Sequence, residues 1–464
     1  MLIGRDRELS VLETAYKNDE FEFAVIYGRR RIGKTSLISE FVKNKNCIFF
    51  SALKSSSNDN LVALSQAISS YNSHEYYTPD APIYQSFDSA LDHITSLSDN
   101  ERIIFVIDEY PYLARSYEGI SSKLQHIIDH SWKNKNIFLI LCGSSMSFMQ
   151  HQVLGNESPL YGRRTLQIKL QPLPYIYTQK FNPNWSFEDS ALVYGITGGI
   201  PHYINQLKRY DDVDIGIKNV LFDPSGYLFE EPENLLKQEL REPSIYNSII
   251  RAVAFGATHS NEIASKVGIA SNVCSKYIKS LLDIEILDKL SPISEKEGRK
   301  TIYVIRDNLF LFWYRFIPGM MSAIQTGYID KIYDLTVKNH YPDYMGHVFE
   351  KICREYMLSQ TDKLPIPLLD IGTWWGSDKI QKKEIEIDMV GIPTEGKQYI
   401  IGSCKYRNKK VGADEYYLMQ DYARVFGKGE MYHYYFFSKA GFTSVMISIA
   451  RKENLHLITP DIMS

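Results

Sequence analysis

The sequence lacks the features that mark secreted, membrane-spanning or disulfide-bonded proteins. Its apolar runs are shorter than the roughly 18 residues of a membrane span, and "MLIGRDREL" at the start has no apolar segment of the signal-peptide type. The five cysteines form no CxxC pair, and an odd, scattered set is typical of reduced thiols. These absences predict a cytoplasmic protein without a membrane partner.

An excess of charge of one sign is also absent. The formal net charge is −3, so no overall field attracts the chain to nucleic acid or a membrane, and any such contact is predicted to be local. Hydrophobic residues make up 44% and charged residues 23% of the 464 positions, as in ordinary globular proteins. A chain of this length exceeds one hydrophobic core, which predicts roughly two to four domains.

Five segments are predicted along the chain. In the first, the apolar runs "FAVIYG", "NCIFFSA", "RIIFVIDE" and "NIFLILCGSS" alternate with helical patterns, which indicates a buried parallel sheet. Helices follow, then three helices and two strands in a winged-helix pattern, a helical linker and a mixed α/β segment. The predicted boundaries are 1–171, 172–242, 243–310, 311–339 and 340–464.

The stretch "GRRRIGKT", residues 28–35, matches GxxxxGK[ST] between a predicted strand and a predicted helix. Backbone N–H groups of such a loop wrap a phosphate at a helix N-terminus, Lys34 reaches the β- and γ-phosphate oxygens, and the Thr35 hydroxyl ligates Mg²⁺. The alternative is a chance glycine-rich turn, which the position of the motif disfavours. The predicted phosphate-binding residues are Gly28, Arg29, Arg30, Arg31, Ile32, Gly33, Lys34, Thr35 and Ser36.

Polar residues that follow the later apolar runs complete the predicted site. In "IIFVIDEY", Asp108 is expected at the carboxyl edge of the sheet, where it holds the Mg²⁺ water shell, and Glu109 polarises the attacking water. Ser144 ends the next strand and is suited to sensing the γ-phosphate. In "SPLYGRRTLQ", Arg163 or Arg164 is a candidate arginine finger, in cis or across a homo-oligomer, with a solvated arginine pair as the alternative.

These motifs resemble those of the AAA-type P-loop ATPases of the STAND-like group of archaea and bacteria. The resemblance is carried by "IGRDREL", "YGRRRIGKTSL", "FVIDEY", "CGSS", "LYGRR" and "GITGGIPHYI". It implies that residues 3–5 lie near the adenine, and that residues 199–201, with Pro201 as a nucleotide-binding residue, pack a helical lid (residues 172–242) on the nucleotide. ATP as the nucleotide rests on this likeness, because a P-loop alone also admits GTP.

The winged-helix pattern offers cations that can meet DNA phosphates and a groove. Acidic residues, among them Glu295 and Glu297, share the tip of the predicted ribbon, and many winged helices in ATPases serve as structural lids or protein docks. DNA binding and a structural role therefore both stay open. The candidates for DNA contact are Asn272, Lys276, Lys279, Lys296, Arg299 and Lys300.

A hairpin near the end of the chain gathers acids and a lysine. "KEIEIDMVG" alternates strictly, so Glu386 and Asp388 share one face of a predicted strand. The chain turns and returns through "QYIIGSCKY", where Ser403 and Lys405 also share a face, so that Asp388 and Lys405 can converge. Upstream, "GHVFEKICREY" can present Glu350 from a helix.

Metal-dependent phosphodiester cleavage needs carboxylates that hold Mg²⁺ and a lysine that positions the water. Residues 340–464 resemble the restriction-endonuclease-like PD-(D/E)xK domain, with Glu350, Asp388 and Lys405 at the matching positions and the first two as metal ligands. Ser403 departs from that pattern, because it stands where the second acid is expected, and Glu386 is a candidate substitute. The resemblance implies a nuclease-derived, impaired domain; an ordinary half-exposed strand is the alternative.

The sequence thus predicts an α/β protein with a P-loop NTPase parallel sheet, a helical lid, a winged-helix domain and a C-terminal α/β nuclease-like domain. Two functions fit this organisation. The first is an ATPase with ATP and Mg²⁺ as cofactors, whose hydrolysis drives a conformational switch in a C-terminal domain that acts on or holds DNA. The second is a non-cleaving regulatory or scaffold protein, in which ATP gates the binding of a protein or nucleic acid.

Overall fold

The computed structural model describes residues 2–73, 82–295, 298, 300–378 and 381–463. The chain divides into two compact units, the first of Met1–Pro172 and Ile200–His202, the second of Leu173–Gly199 and Tyr203–Ser464. None of the helices described in these ranges combines the length and the apolar character that crossing a membrane requires.

A parallel sheet of five strands forms the centre of the first unit, in the order β2-β3-β4-β1-β5. Every residue of β1, β3 and β4 is buried, which accounts for their continuous apolar runs, since both faces of a parallel sheet are covered. The four apolar runs of the sequence form β1 to β4. β5 is a four-residue strand with one buried residue, so no apolar run in the sequence predicts it. The strands are β1 Glu22–Tyr27, β2 Cys47–Ser51, β3 Ile103–Asp108, β4 Ile137–Gly143 and β5 Leu166–Lys169.

Helices cover both faces of this sheet. One apolar cluster joins Phe105 of β3 to helices that include Leu64 and Leu124, and another joins Ile104 to helices that include Leu12 and Leu37. Because all five strands are parallel, their carboxyl ends lie at one edge, where ligands of such sheets bind. The helices of the described first unit are α1 Asp6–Tyr16, α2 Lys34–Phe41, α3 Ser57–Ser73, α4 Phe87–Leu97, α5 Tyr110–Ser116, α6 Ile120–His130 and α7 Met146–Phe148.

The segment predicted as a lid is helical, with one interruption that the sequence pattern does not show. The pattern from Phe187 to Leu207 predicts continuous helix, but Gly198 and Gly199 have φ of 61° and 78°, a left-handed conformation that ends a helix. The chain therefore breaks into two helices at this point. The helices are α8 Tyr175–Phe181, α9 Phe187–Thr197, α10 Pro201–Leu207, α11 Val213–Leu221 and α12 Glu231–Glu239.

Three helices and an antiparallel ribbon follow, in the predicted order. The stretch "SNVCSKYIKSLLDIEIL", residues 271–287, predicts the third helix. The helix ends earlier, at Asp283, because Glu285 takes a left-handed φ of 60°. Lys296, Glu297 and Arg299 of the ribbon tip lie outside the described residues, and Lys300 pairs with Glu295 at 3.0 Å. The elements are α13 Pro243–Ala254, α14 Ser260–Val267, α15 Ser271–Asp283, β6 Leu287–Leu290 and β7 Ile302–Ile305.

The remainder of the second unit contains a mixed sheet in the order β12-β11-β10-β9-β8. β8, β9 and β10 pair antiparallel, whereas β10, β11 and β12 pair parallel. The described helices are α16 Asn308–Phe316, α17 Met321–Gln325, α18 Ile329–Thr336, α19 Tyr341–Ser359, α20 Ala413–Phe426, α21 Ser444–Ala450 and α22 Pro460–Met463. The strands are β8 Leu368–Asp378, β9 Lys383–Pro393, β10 Gln398–Lys405, β11 Met431–Ser438 and β12 Leu455–Ile458.

Candidate functional site

Residues 28–35, the P-loop, connect β1 to α2 in a backbone conformation that requires glycine. Gly28 has a φ of 155°, and a Cβ atom there would lie 2.7 Å from the carbonyl oxygen of Leu170. Gly33 has a φ of 96° and directly precedes Lys34, the first residue of α2. A glycine-shaped loop that opens a helix presents backbone N–H groups to an anion.

Lys34 folds back across this loop. Its side chain is buried, and Nζ donates hydrogen bonds to the carbonyl oxygens of Gly28 and Arg29, each at 2.9 Å. Burial lowers the pKa of Lys34. The ammonium group therefore lies inside the loop. The N–H groups that it donates to these two carbonyl oxygens are the ones that would bind phosphate oxygens.

Thr35 and Asp108 meet at the carboxyl edge of the sheet. Thr35 Oγ1 donates to Asp108 Oδ2 at 3.0 Å, although the two residues are 73 positions apart, and Asp108 is buried. Asp108 Oδ1 accepts the backbone N–H of Glu109 at 3.0 Å. A hydroxyl and a carboxylate are oxygen ligands of the kind that fits Mg²⁺ beside a nucleotide phosphate. Ser36, the last residue of the predicted phosphate-binding set, is exposed in the first turn of α2.

Glu109 has a left-handed backbone, with φ 51° and ψ 42°. For a residue other than glycine this conformation costs about 1–2 kcal/mol, and such strain clusters at functional sites. Both carboxylate oxygens of Glu109 lie 2.9 Å from Ser144 Oγ, which donates to them. Ser144, predicted to sense the γ-phosphate, thus holds the carboxylate predicted to activate water.

The two arginines of "LYGRR" have different surroundings. Arg163 donates from Nε and Nη2 to the carboxylate of Asp129 at 2.7–3.1 Å, and from Nη1 to the carbonyl oxygens of Pro159 and Tyr161. These bonds hold the pKa of Asp129 down at about 2. The side chain of Arg164 makes no hydrogen bond or ion pair with any residue that the structure describes. Asp129 was not found from the sequence, because nothing local marks an acid on α6 as a partner of Arg163.

Two residues outside the P-loop, Arg5 and Tyr112, contact it. Arg5, in the segment that the resemblance puts near the adenine, is 4% exposed and donates from Nη2 to the carbonyl oxygens of Ile32 and Gln171 at 3.2 and 2.8 Å. Arg30 donates to the hydroxyl of Tyr112 at 3.1 Å, a contact that no sequence pattern signals. Pro201 begins α10 and belongs with Ile200 and His202 to the first unit.

The hairpin residues of the second unit converge as the alternation predicts. Lys405 Nζ lies 3.6 Å from Asp388 Oδ2. The same oxygen accepts the Ser403 hydroxyl at 3.2 Å and the backbone N–H of Cys404 at 2.7 Å. Ser403, fully buried, therefore donates to Asp388 at the position where an acid would hold a metal.

Glu350 approaches from α19, together with an arginine that the sequence analysis missed. Arg354 Nη1 lies 3.9 Å from Glu350 Oε2 and donates to the carbonyl oxygen of Asp388 at 3.2 Å. Burial, and then the charge of Asp388, raise the pKa of Glu350 to about 7. The spacing of four residues on one helix was the available signal for this pair. Glu350, Arg354, Asp388, Ser403 and Lys405 are called the Asp388 cluster below.

The Asp388 cluster does not fit a divalent metal as it stands. Within the described ranges, no three His, Cys, Asp or Glu residues are grouped so that they could hold a metal ion. Glu386, the candidate substitute acid, is exposed on β9. Both carboxylates of the cluster instead have a cationic side chain beside them. Lys405 lies beside Asp388, and Arg354 lies beside Glu350.

Comparison with known proteins identifies an ATPase domain in the first part of the chain and assigns no function to the later part. Residues 2–207 match a family described as an ATPase domain predominantly from Archaea. Residues 313–416 match a family described as "Archaea bacterial proteins of unknown function".

Relatives and solved structures agree with the first match. The uncharacterized protein MJECL04 of Methanocaldococcus jannaschii is 34% identical over 417 residues, which cover 88% of each chain. The uncharacterized ATP-binding protein MJ0423 of the same organism is 42% identical over 45 residues, or 10% of this chain and 76% of that protein. The Walker-type ATPase PABY2304 of Pyrococcus abyssi matches with a TM-score of 0.53 at 19% identity, over 68% of this chain and 96% of that chain, and shares its fold. The chain therefore belongs to the same family as MJECL04, and it contains an ATPase domain of the kind found predominantly in Archaea, followed by a region that matches a family of unknown function.

Proposed function

We propose that this protein binds ATP with Mg²⁺, hydrolyses it, and uses the nucleotide state to switch the conformation of its second unit. The observation that carries the proposal is the meeting of the P-loop with Asp108, through the bond from Thr35 Oγ1 at 3.0 Å. Lys34 directly precedes Thr35 and Glu109 directly follows Asp108, so both lie at the same edge of the sheet. The ATPase family supports hydrolysis, and the fold supports the placement of the site.

In the proposed reaction the P-loop N–H groups and Lys34 hold the β- and γ-phosphates, while Thr35 and Asp108 hold the metal. Bound Mg²⁺ supplies neutralisation of the phosphate charge. Glu109 orients a water whose oxygen bonds to the γ-phosphorus as the bond to the bridging oxygen breaks, giving ADP and phosphate. Ser144 Oγ, which donates to both oxygens of Glu109 at 2.9 Å, orients the carboxylate for that role.

Substitution of each arginine is expected to show that Arg163 and Arg164 have different roles. Arg164→Ala should lower turnover by about 10³-fold, the lower end for a lost arginine finger, because its guanidinium has no structural partner in the described residues. Arg163→Ala should instead destabilise the fold by on the order of 1–3 kcal/mol, because it leaves Asp129 without its bidentate partner. ATP turnover and thermal unfolding, measured on both variants, check this pair.

If Arg163→Ala instead loses turnover and keeps its unfolding temperature, the arginine finger is Arg163. Turnover per molecule that rises with protein concentration, and falls in Arg164→Ala, would indicate that the finger acts across a homo-oligomer.

For the second unit we propose a nuclease-derived domain that holds a partner without cutting DNA. Glu350, Asp388 and Lys405 converge as in a PD-(D/E)xK site, but Ser403 donates to Asp388 and Arg354 stands beside Glu350. Such a site lacks the negative charge that binds a divalent cation. DNA cleavage by the wild-type protein is therefore not part of the proposal.

The winged-helix ribbon is proposed as a structural dock. The backbone N–H of Ile293 donates to the carbonyl oxygen of Thr373 on β8 at 2.9 Å, and the Ile293 side chain belongs to the apolar core of the C-terminal sheet. Lys428 donates to the Ser294 hydroxyl at 2.5 Å. Because these contacts engage the segment that connects β6 to β7, they favour the structural role over insertion of the ribbon into a DNA groove.

Ser403→Glu tests the proposed loss of metal binding. The new carboxylate would stand beside Asp388 and two residues before Lys405, so affinity for Mn²⁺ should increase by about tenfold or more, as measured by calorimetry on the full chain. The double variant Ser403→Glu, Asp388→Ala should lose this gain. The proposal fails if wild-type protein cuts DNA and Asp388→Ala stops the cutting, or if Ser403→Glu folds normally with unchanged Mn²⁺ affinity.

A further inference from the structure

Helix α19 presents different faces to two parts of the second unit. Tyr344 and Glu355 are eleven residues apart and therefore point within about 20° of each other around the helix, toward α9. Glu350 and Arg354 lie on another face, in the Asp388 cluster. One helix thus joins the predicted lid to the cluster.

The carboxylate of Glu355 binds two lid helices at once. Its Oε2 accepts the backbone N–H of Tyr175 at 2.8 Å, and its Oε1 accepts the hydroxyl of Tyr194 at 2.5 Å. Tyr175 is the first residue of α8, where backbone N–H groups have no partner within the helix and where negative charge is favoured. Both oxygens of Glu355 are needed, since the two donors belong to different helices.

A close helix contact lies beside this bond. Tyr344 donates its hydroxyl to the carbonyl oxygen of Gly195 at 2.5 Å. A Cβ atom at Gly195 would lie 3.1 Å from Met345 Sδ and 3.3 Å from Val348 Cγ1, so the glycine allows α9 and α19 to pack backbone against side chain. Since packed helices transmit strain, movement of α9 along or across this contact must carry α19 with it.

The motif that the resemblance assigns to the nucleotide follows the same end of α9 that contacts α19. Beyond the helix, the carbonyl oxygen of Gly199 accepts the backbone N–H of Leu173 at 3.0 Å, and a Cβ atom at Gly199 would lie 1.9 Å from the Leu173 carbonyl oxygen. The next residues, Ile200–His202, belong to the first unit. The last turn of α9 therefore contacts α19 and directly precedes that motif, and the close contacts at Gly195 and Gly199 leave little room for independent motion.

We propose that Glu355 is a positioning residue that couples the nucleotide state to the Asp388 cluster. It acts through Tyr194 and the N-terminus of α8: when nucleotide shifts the lid, α19 moves with α9 and changes the position of Glu350 and Arg354 against Asp388 and Lys405. This inference rests on the proposed ATP-driven switch and names its relay.

The test is hydrogen–deuterium exchange on the full chain, with and without a non-hydrolysable ATP analogue and Mg²⁺, at saturating nucleotide. In the wild-type protein, nucleotide should change the exchange of amides in α19 and in the strands of residues 383–405. Glu355→Gln should lose most of the change in residues 383–405, because an amide retains only one acceptor oxygen for two donors. Tyr194→Phe, which removes one hydroxyl, should lose part of it.

Asp343→Asn is the matched control, since it removes the same charge from an exposed position on the same helix, and it should behave as wild type. Exchange at residues 383–405 that responds to nucleotide equally in wild type, Glu355→Gln and Tyr194→Phe would overturn the inference. So would a wild-type protein that hydrolyses ATP without any response there, and that result would leave the proposed ATPase standing. Failure of the wild-type protein to bind ATP would overturn both.

Discussion

Lys34→Ala is expected to abolish measurable ATP binding. Its ammonium lies buried inside the P-loop and donates to two carbonyl oxygens at 2.9 Å, positions from which it can turn to the β- and γ-phosphates. Charge-assisted hydrogen bonds contribute about 1.5–3 kcal/mol each, so the loss of two raises the dissociation constant by about 10²–10⁴-fold. Calorimetric titration with ATP and Mg²⁺ measures the change.

Lys43→Ala provides the control, because Lys43 is an exposed lysine just after the same helix and pairs with Glu40 on the surface. It should bind ATP as the wild type does. An unchanged ATP affinity in a folded Lys34→Ala variant would contradict the assignment of the P-loop as the nucleotide site.

Glu109→Gln is expected to bind ATP and to lose turnover by about 10²-fold or more, the usual contribution of a group that orients or deprotonates the attacking nucleophile. The amide preserves the size of the side chain and one acceptor for Ser144, whose hydroxyl lies 2.9 Å from both carboxylate oxygens. It removes the negative charge that polarises the water. Nucleotide affinity and steady-state turnover, measured on the same preparation, separate binding from chemistry.

Glu118→Gln is the matched substitution, because Glu118 is an exposed acid in the loop after α5, and its turnover should be that of the wild type. Equal losses of affinity and turnover in Glu109→Gln would mean that Glu109 supports the fold of the site rather than the reaction.

The parts of the nucleotide site that the sequence predicts are those encoded by contiguous residues. The P-loop is one such stretch, and its glycines, its lysine and its place between a strand and a helix all follow from local steric and electrostatic rules. Asp108 is predicted from a short apolar run, because a buried strand of a parallel sheet must end at the ligand edge. The meeting of Thr35 with Asp108 follows from these two local patterns together.

Contacts between distant residues were not predictable in this way. Asp129 binds Arg163 and Glu355 binds Tyr175 across 34 and 180 positions, and neither pair has a spacing that a local rule recognises. The bond from Ser144 to Glu109 joins residues that were both selected from the sequence, but for separate roles. Their hydrogen bond depends on the adjacency of β3 and β4 in the sheet.

The Asp388 cluster lies between these cases. Strict alternation in β9 and β10 was enough to predict that Asp388 and Lys405 converge, and they lie 3.6 Å apart. Whether Ser403 could ligate a metal was not decided by the pattern, because a hydroxyl can donate as well as accept. Its bond to Asp388, and the approach of Arg354 from α19, are products of packing between helix and sheet.

Phosphate release from ATP by the full-length wild-type protein tests the central claim most directly. The account predicts release that saturates with ATP, requires Mg²⁺, stops on chelation and is reduced by about 10²-fold or more in Glu109→Gln. Addition of duplex DNA distinguishes a DNA-coupled switch, in which release is stimulated, from an ATPase that responds to another partner. Wild-type release no greater than that of Glu109→Gln, with ATP and Mg²⁺ in excess, would contradict the account.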